Sequence, residues 1–204
     1  LDPLYGGPGV MLGLDADFGV SDLVSGADAA SMRTTAIGFQ DRFAVLLGPA
    51  ASGGQSIGTE TAVTSLLAII ASSWESVVVD AARIPLEHLL PTARNAVSIV
   101  VVLEPSIDDV RVAVDWRRRL LAAGIESDRI EFVMRDRRGM VGVPPAEWSR
   151  ALGDARVHTL PDETRAVSTA WMKSTPVRDC GRRARICRLA DQLLPVRTDV
   201  GGGE

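Results

Sequence analysis

An α/β fold, with a mainly parallel sheet covered by helices on both faces, is what this sequence predicts. Three observations carry it. From about residue 43 onward, short β-branched apolar runs alternate with amphipathic stretches, the pattern of strands joined by crossover helices. The middle runs, Val77-Val78-Val79 and Ile99-Val100-Val101-Val102, are almost wholly apolar, as strands are when helices cover both their faces. A chain of 204 residues with 46% hydrophobic and 24% charged side chains also has the make-up of a globular domain able to bury one sizeable core.

In chain order, glycine and alanine crowd the first 60 residues, and Gly6-Gly7-Pro8-Gly9 and Ser52-Gly53-Gly54-Gln55-Ser56 read as loops. Strands are expected at Phe43–Leu47, Ser76–Asp80, Val97–Leu103, Arg129–Met134 and Arg156–Thr159, where β-branched and aromatic residues gather. Helices are expected at Gly58–Ser72, Ile84–Asn95 (short and irregular), Ile107–Ala123, Pro144–Leu152, Asp162–Met172 and Arg182–Leu194. Ser106 ahead of Ile107, with Asp109 three residues on, forms a partial capping box. Gly124 closes the same helix, and Pro144-Pro145 opens the next. Residues 1–194 are read as one domain and 195–204, ending Gly201-Gly202-Gly203-Glu204, as a disordered tail with nothing to bury.

Several function classes drop out on composition. The longest apolar runs fall far short of the roughly 20 residues that span a bilayer, and no basic region followed by an apolar run opens the chain as a signal peptide would. Cys180 and Cys187 lie in a stretch that reads as one helix, which would hold them about 10 Å apart and unbridged. Together with His88 and His158, in unrelated segments, they do not make a zinc ligand set; isolated thiols in a reducing cytosol are the expectation. The net charge of −4 divides unevenly: 17 basic and 10 acidic residues lie between Arg111 and Arg188, leaving 5 and 16 elsewhere. The basic residues are spread over several helices with few interleaved aromatics, which reads as solvated faces rather than a nucleic-acid surface.

The sharpest local signal is Ser76-Val77-Val78-Val79-Asp80, an apolar strand with a carboxylate at its C-terminal end. In open parallel sheets the ligand crevice lies outside that end, and in nucleotide hydrolases an acid there holds Mg²⁺, directly or through water. A turn or capping role for Asp80 is the plain alternative. Leu1-Asp2-Pro3, followed by Gly6-Gly7-Pro8-Gly9, would place Asp2 in the same crevice, where a carboxylate orders a metal-bound or attacking water; alone it is a turn.

Leu1-Asp2-Pro3, then Ser76–Asp80 with Ala81-Ala82-Arg83, then Ile99–Leu103 with Glu104-Pro105-Ser106, then Phe132-Val133-Met134-Arg135 together resemble the MinD/ParA superfamily of deviant Walker-type P-loop ATPases. The likeness runs from Leu1 to about Leu194 and is greatest to actinobacterial septum site-determining proteins of the CpaE/TadZ-like branch. It implies a P-loop NTPase-like three-layer α/β/α fold whose complete form binds ATP and Mg²⁺. It also implies nucleotide-dependent dimerisation and protein partners in division, pilus or secretion machinery. The implied location is the cytoplasm, with peripheral attachment at membrane, septum or pole. By the likeness, Asp80 matches the Walker B acid, catalytic and holding Mg²⁺ via water, Asp2 matches the catalytic acid of the Asp-Pro switch, and Arg135 falls where many relatives place an asparagine against the adenine.

The departures bear on activity. A phosphate-binding loop needs glycine amides followed by Lys and Ser/Thr at the mouth of a helix; no such stretch occurs, and Lys173 is the one lysine. The expected reading is a fragment missing the first strand and the Walker A loop, inactive alone and binding no nucleotide. A non-catalytic protein-interaction module on the same fold is the rival. Arg135 could stack on a base or meet phosphate, or be a solvated loop charge beside Arg137 and Arg138.

Other features read as structural. Asp108-Asp109 and Asp162-Glu163 fall in first helical turns, where the helix dipole favours negative charge. Trp74, Trp116, Trp148 and Trp171 sit in or beside four different helices, as packing anchors do. The last helix has an apolar stripe of Ile186, Leu189, Ala190, Leu193 and Leu194 flanked by Arg182, Arg183, Arg185 and Arg188. Packing of that stripe on the sheet is preferred to contact with an anionic membrane.

Overall fold

The computed structural model describes residues 7–15, 19–23, 26, 28–48, 60–81, 86–135, 142–153, 155–180 and 184–193. It divides into two compact units, residues 1–95 and 96–204.

The first unit holds α1 (Gly7–Leu12), α2 (Val20–Leu23), α3 (Ala29–Thr35), β1 (Ile37–Phe39), β2 (Phe43–Val45), α4 (Glu60–Ser73) and α5 (Leu86–Asn95). Its core gathers Val20 and Leu23 of α2, Met32 of α3, and Leu66 and Ile70 of α4, with Leu46, Ile69 and Trp74 packed around them. Gly19 allows α2 to reach that core: a Cβ there would stand 2.6 Å from the Leu47 carbonyl oxygen, while Val20 N–H donates to that oxygen at 2.9 Å. Helix α3 starts on a reciprocal cap, in which the Asp28 carboxylate accepts from Ser31 N–H at 2.7 Å and the Ser31 hydroxyl meets Asp28 N–H. The Ser31 hydroxyl also donates to the Asp28 carboxylate, and that bond first, with the one from Ser31 N–H second, holds the carboxyl below its ordinary value.

Three expectations for this unit are corrected. Gly7–Leu12 forms helix α1 where Gly6-Gly7-Pro8-Gly9 reads as a loop. The strand at Phe43 exists, but it is antiparallel to β1, with Phe39 opposite Phe43 and their rings stacked at 5.2 Å. The turn between them uses Gln40 and Asp41 at φ of +50° and +54°, so a left-handed turn, of the kind that suits a hairpin twist, forms without glycine. Ser76–Asp80 takes part in no β ladder, and Val77 and Val78 are 39% and 65% exposed. An apolar run supplies strand propensity only; a strand also needs an adjacent backbone edge in register.

The second unit carries β3 (Ile99–Leu103), α6 (Ile107–Ala122), a 3₁₀ turn (Ser127–Arg129), β4 (Ile130–Arg135), α7 (Pro145–Ala151), β5 (Val157–Leu160), α8 (Thr164–Met172), α9 (Val177–Cys180) and α10 (Arg185–Leu193). Its sheet is parallel throughout, in the order β3-β4-β5. Strand β4 is the middle strand of this sheet, paired with β3 on one side and β5 on the other. Ile130, Phe132, Val133 and Met134 of β4 are all buried, the near-continuous apolar run of a strand covered on both faces. Strand β3 instead alternates, with Val101 buried and Val100 and Val102 exposed.

Helices pack on this sheet, α6 against β3, and α7 and α10 against β5. Trp148 of α7 is completely buried, as are Ala113 and Leu120 of α6 to within 1%. Helix α6 is bounded by chemistry visible in the sequence. Ser106 Oγ accepts from Asp109 N–H at 3.1 Å. At the far end Gly124, at φ +83°, donates to Leu121 O while Ile125 N–H donates to Leu120 O, a Schellman closure that buries Ile125 beside Leu120.

The cysteine-bearing stretch is two helices, not one: α9 ends at Cys180 and α10 begins at Arg185. Both thiols are free and half-buried. Leu189 of α10 is buried and Ile186, Ala190 and Leu193 half-buried, so the stripe packs inward, as preferred. Arg182, Arg183, Leu194 and the 195–204 tail lie outside the described residues.

Candidate functional site

In a parallel sheet every strand delivers its last residue to one edge, where ligands of such folds bind. In the second unit that edge collects Glu104 after β3, Arg135 at the end of β4, and Pro161 and Asp162 after β5. The register Leu103↔Met134 brings Glu104 and Arg135 side by side, and Arg135 Nη1 lies 2.7 Å from Glu104 Oε1. Glu104 is fixed from behind as well. Its N–H donates to Asp109 Oδ2 at 2.9 Å, and its carbonyl accepts from Ser106 N–H at 2.8 Å. Asp109 therefore reaches two residues beyond its expected capping partner and ties the end of β3 to the first turn of α6.

The segment leading into α7 passes close by. Val143 N–H donates to Pro105 O at 3.0 Å, and a Cβ on Gly142 would lie 2.5 Å from that oxygen. Only glycine permits this approach. After β5, Asp162 accepts from Thr164 Oγ1 at 2.7 Å and from Thr164 N–H at 3.2 Å, so it serves the start of α8.

Of the residues singled out by sequence, Arg135 is at this edge, half-exposed and engaged by Glu104. Asp80, in the first unit, is exposed. Asp2 lies outside the described residues, and so does the expected meeting of Asp2 with Asp80. Arg137 and Arg138 are outside them too. Glu104 is the member that sequence reasoning missed. Its signal is the one that pointed to Asp80, an acid at the exit of an apolar strand.

The second pairing that sequence reasoning missed is Glu131 of β4 with His158 of β5, at 2.7 Å between Oε2 and Nε2, with Arg156 Nη1 3.3 Å from Oε1. Glu131 and His158 are two positions apart in register, which puts both side chains on one face of the sheet, and both are largely buried. The cluster links two neighbouring strands of the sheet through one carboxylate.

The donor set does not fit a nucleotide's phosphates. The chain has no run of glycines leading to Lys and Ser/Thr, its one lysine, Lys173, is the C-cap of α8, and the edge arginine is bonded to Glu104. Among the described residues no three His, Cys, Asp or Glu side chains converge as a metal site.

The chain is similar to a ParA family ATPase from Chlorobium tepidum TLS, at TM-score 0.72 and 15% identity over 91% of this chain and 80% of that one. The chain has the ParA/MinD fold. It is also similar to the cell division ATPase MinD of Pyrococcus furiosus, at TM-score 0.68 and 14% identity, covering 92% of this chain and 78% of that one. A third likeness is to the septum site-determining protein MinD of Pyrococcus horikoshii OT3, solved with Mg-ADP, at TM-score 0.63 and 12% identity, covering 96% and 84%. No family model matches the sequence. No curated protein matches it either. What these identities share is the ParA/MinD fold, an α/β arrangement with a parallel sheet and helices packed on it.

Proposed function

We propose that this chain is a MinD/ParA-like positioning protein, acting through contacts with protein partners of the division, pilus or secretion machinery and not through metabolic turnover. The fold shared with ParA and MinD ATPases supports this reading. So does the placement of Arg135 at the sheet edge where such folds receive ligands. By likeness to that family, Asp80 would hold Mg²⁺ through water, Asp2 would order the attacking water and Arg135 would face the base. The reading treats residues 1–194 as one domain, cytoplasmic and able to attach peripherally at membrane, septum or pole. No described helix is long and apolar enough to cross a membrane. The net charge of −4 disfavours nucleic acid.

The chain as it stands lacks the cradle for phosphate charge, and this single observation carries the expectation that it does not hold ATP on its own. Titration calorimetry with ATP and Mg²⁺ tests it. No heat of binding is expected at micromolar nucleotide; micromolar affinity that disappears in Asp80→Ala would overturn the reading. The same observation favours a second reading, a protein-interaction module on this fold that uses no nucleotide. Adding a Gly-rich loop with Lys and Ser/Thr ahead of Leu1 separates them, because only the first reading expects that addition to confer ATP binding.

A further inference from the structure

The break after Cys180 changes what the two thiols can do. In one continuous helix Cys180 and Cys187 would stand about 10 Å apart; instead α9 ends at Cys180, and Cys187 lies in the first turn of α10. Both are free and half-buried. Cys180 Sγ lies 3.3 Å from Thr175 Oγ1. Cys180 also lines an open cleft with Ala166 and Thr169 of α8 and with Ala184, the residue just ahead of α10.

Spacing along α10 decides which way Cys187 faces. Ala184, Cys187 and Asp191 are three and then four residues apart, so they form one stripe. Both ends of that stripe meet α9: Ala184 shares the cleft with Cys180, and Asp191 Oδ1 is bonded to Arg178 Nη2. Cys187 sits between them, with its sulfur beside the same Arg178 guanidinium. At a rise of about 1.5 Å per residue, Cys187 lies roughly 4.5 Å farther along the axis than Ala184. An offset of that size is what a disulfide spans between Cα atoms, about 4–7 Å.

We propose that Cys180 and Cys187 form a reversible intramolecular disulfide when the chain meets a peroxide, and that the bridge fastens α10 to α9. Hydrogen peroxide oxidises the Cys180 sulfur, the one on the open cleft, to a sulfenic acid, and one water leaves. The Cys187 sulfur then attacks that sulfur. The S–S bond forms as the S–O bond breaks, and the Cys187 proton departs with the hydroxyl as a second water. The peroxide is reduced and the two thiols are oxidised, so the electrons balance. A dithiol reductant reverses the step, which suits a compartment where thiols stay reduced until an oxidant arrives. The bridge uses no nucleotide and goes beyond the function proposed above.

Peroxide treatment of the reduced full chain tests the proposal, read by thiol titration and intact mass. Titratable thiols are expected to fall from two to none, the mass to drop by that of two hydrogens, and dithiothreitol to restore both thiols. The product should be monomeric, and peptide mapping should join the fragments that hold Cys180 and Cys187. Exchange of α10 amides should slow on the order of tenfold on oxidation. In Cys187→Ser, Cys180 should stop at a sulfenic acid that dimedone traps, and α10 exchange should keep its reduced rate. Thiols that survive peroxide, a bridge between two chains, oxidation to sulfinic acid without a bridge, or α10 exchange that ignores the bridge would each overturn the proposal.

Discussion

Trp148 shows how one side chain can be structurally central and still replaceable. It is fully buried in α7, and its indole Nε1 has no hydrogen-bond partner. Trp148→Ala is expected to cost about 3–5 kcal/mol through cavity formation. Trp148→Phe should cost much less, about 1–2 kcal/mol, because it forfeits no hydrogen bond and removes a buried donor without an acceptor. Chemical denaturation of the two variants measures both numbers, and equal costs would show that the indole N–H matters after all. Gln40 presents the opposite case, an exposed residue in a costly conformation. Its φ of +50° favours glycine or asparagine, so Gln40→Gly should raise stability by about 0.5–1 kcal/mol. A fall in the unfolding midpoint would mean that the side chain does more for the hairpin than its backbone costs.

Among the elements, α10 depends on a residue far from it in sequence. Glu163, just ahead of α8, accepts from Arg185 N–H at 2.8 Å and Ile186 N–H at 3.0 Å, satisfying two of the open donors at the start of α10. Those backbone hydrogen bonds, from Ile186 first and Arg185 second, hold the Glu163 carboxyl below its ordinary value near 4.5, with Arg185 and Arg188 adding to the effect. A lowered folded-state pKa stabilises the fold fully above the unfolded value and is lost as pH falls through the folded one. The attachment of α10 should therefore be intact at neutral pH and loosen only on acidification below about 4.5. Hydrogen exchange of α10 amides at pH 7 and pH 3 reads this, and Glu163→Gln should cost about 1 kcal/mol at pH 7 while flattening the acid dependence. Unchanged protection in that variant would remove Glu163 as the tie. Gly124 ends α6 at φ +83°, and Gly124→Ala should cost about 1 kcal/mol in thermal unfolding.

These elements also show what was legible in the sequence. The limits of α6 fall within one residue of expectation because Ser106 and Gly124 act locally, and β4 follows from its unbroken apolar run. Helix α3 went unread since its cap has Ser31, not Glu or Gln, in the third helical position. The hairpin turn went unread since Gln40 and Asp41 adopt positive φ where glycine is the usual sign. At Ser76–Asp80 the apolar pattern misled, for pattern does not report whether a backbone edge lies alongside. The break after Cys180 is invisible because the arginine-rich pattern runs straight through it. At the site, Glu104 and Arg135 are plain in the sequence, but their contact spans 31 positions and exists only once β3 and β4 are in register.

For the molecule as a whole, the ParA/MinD fold and the missing phosphate cradle point in different directions. Fold is set by burial and register over the whole chain; phosphate affinity is concentrated in a few amides and one lysine. One can survive without the other. The expected result is a chain that folds cooperatively, with an unfolding midpoint that millimolar ATP and Mg²⁺ do not move; a shift of several degrees would show binding.

The Glu104–Arg135 contact adds a competitor to that balance. A carboxylate tethered 2.7 Å from the guanidinium acts as a built-in counter-ion, present at an effective concentration on the order of millimolar or more. Any anion arriving at Arg135 has to exchange with it, gaining one ion pair and breaking another. To a polyanion the pair presents a nearly neutral dipole rather than a cationic target, so it draws in no ligand from a distance. Added salt should leave the encounter rate there almost unchanged, unlike at a bare arginine, where screening slows it.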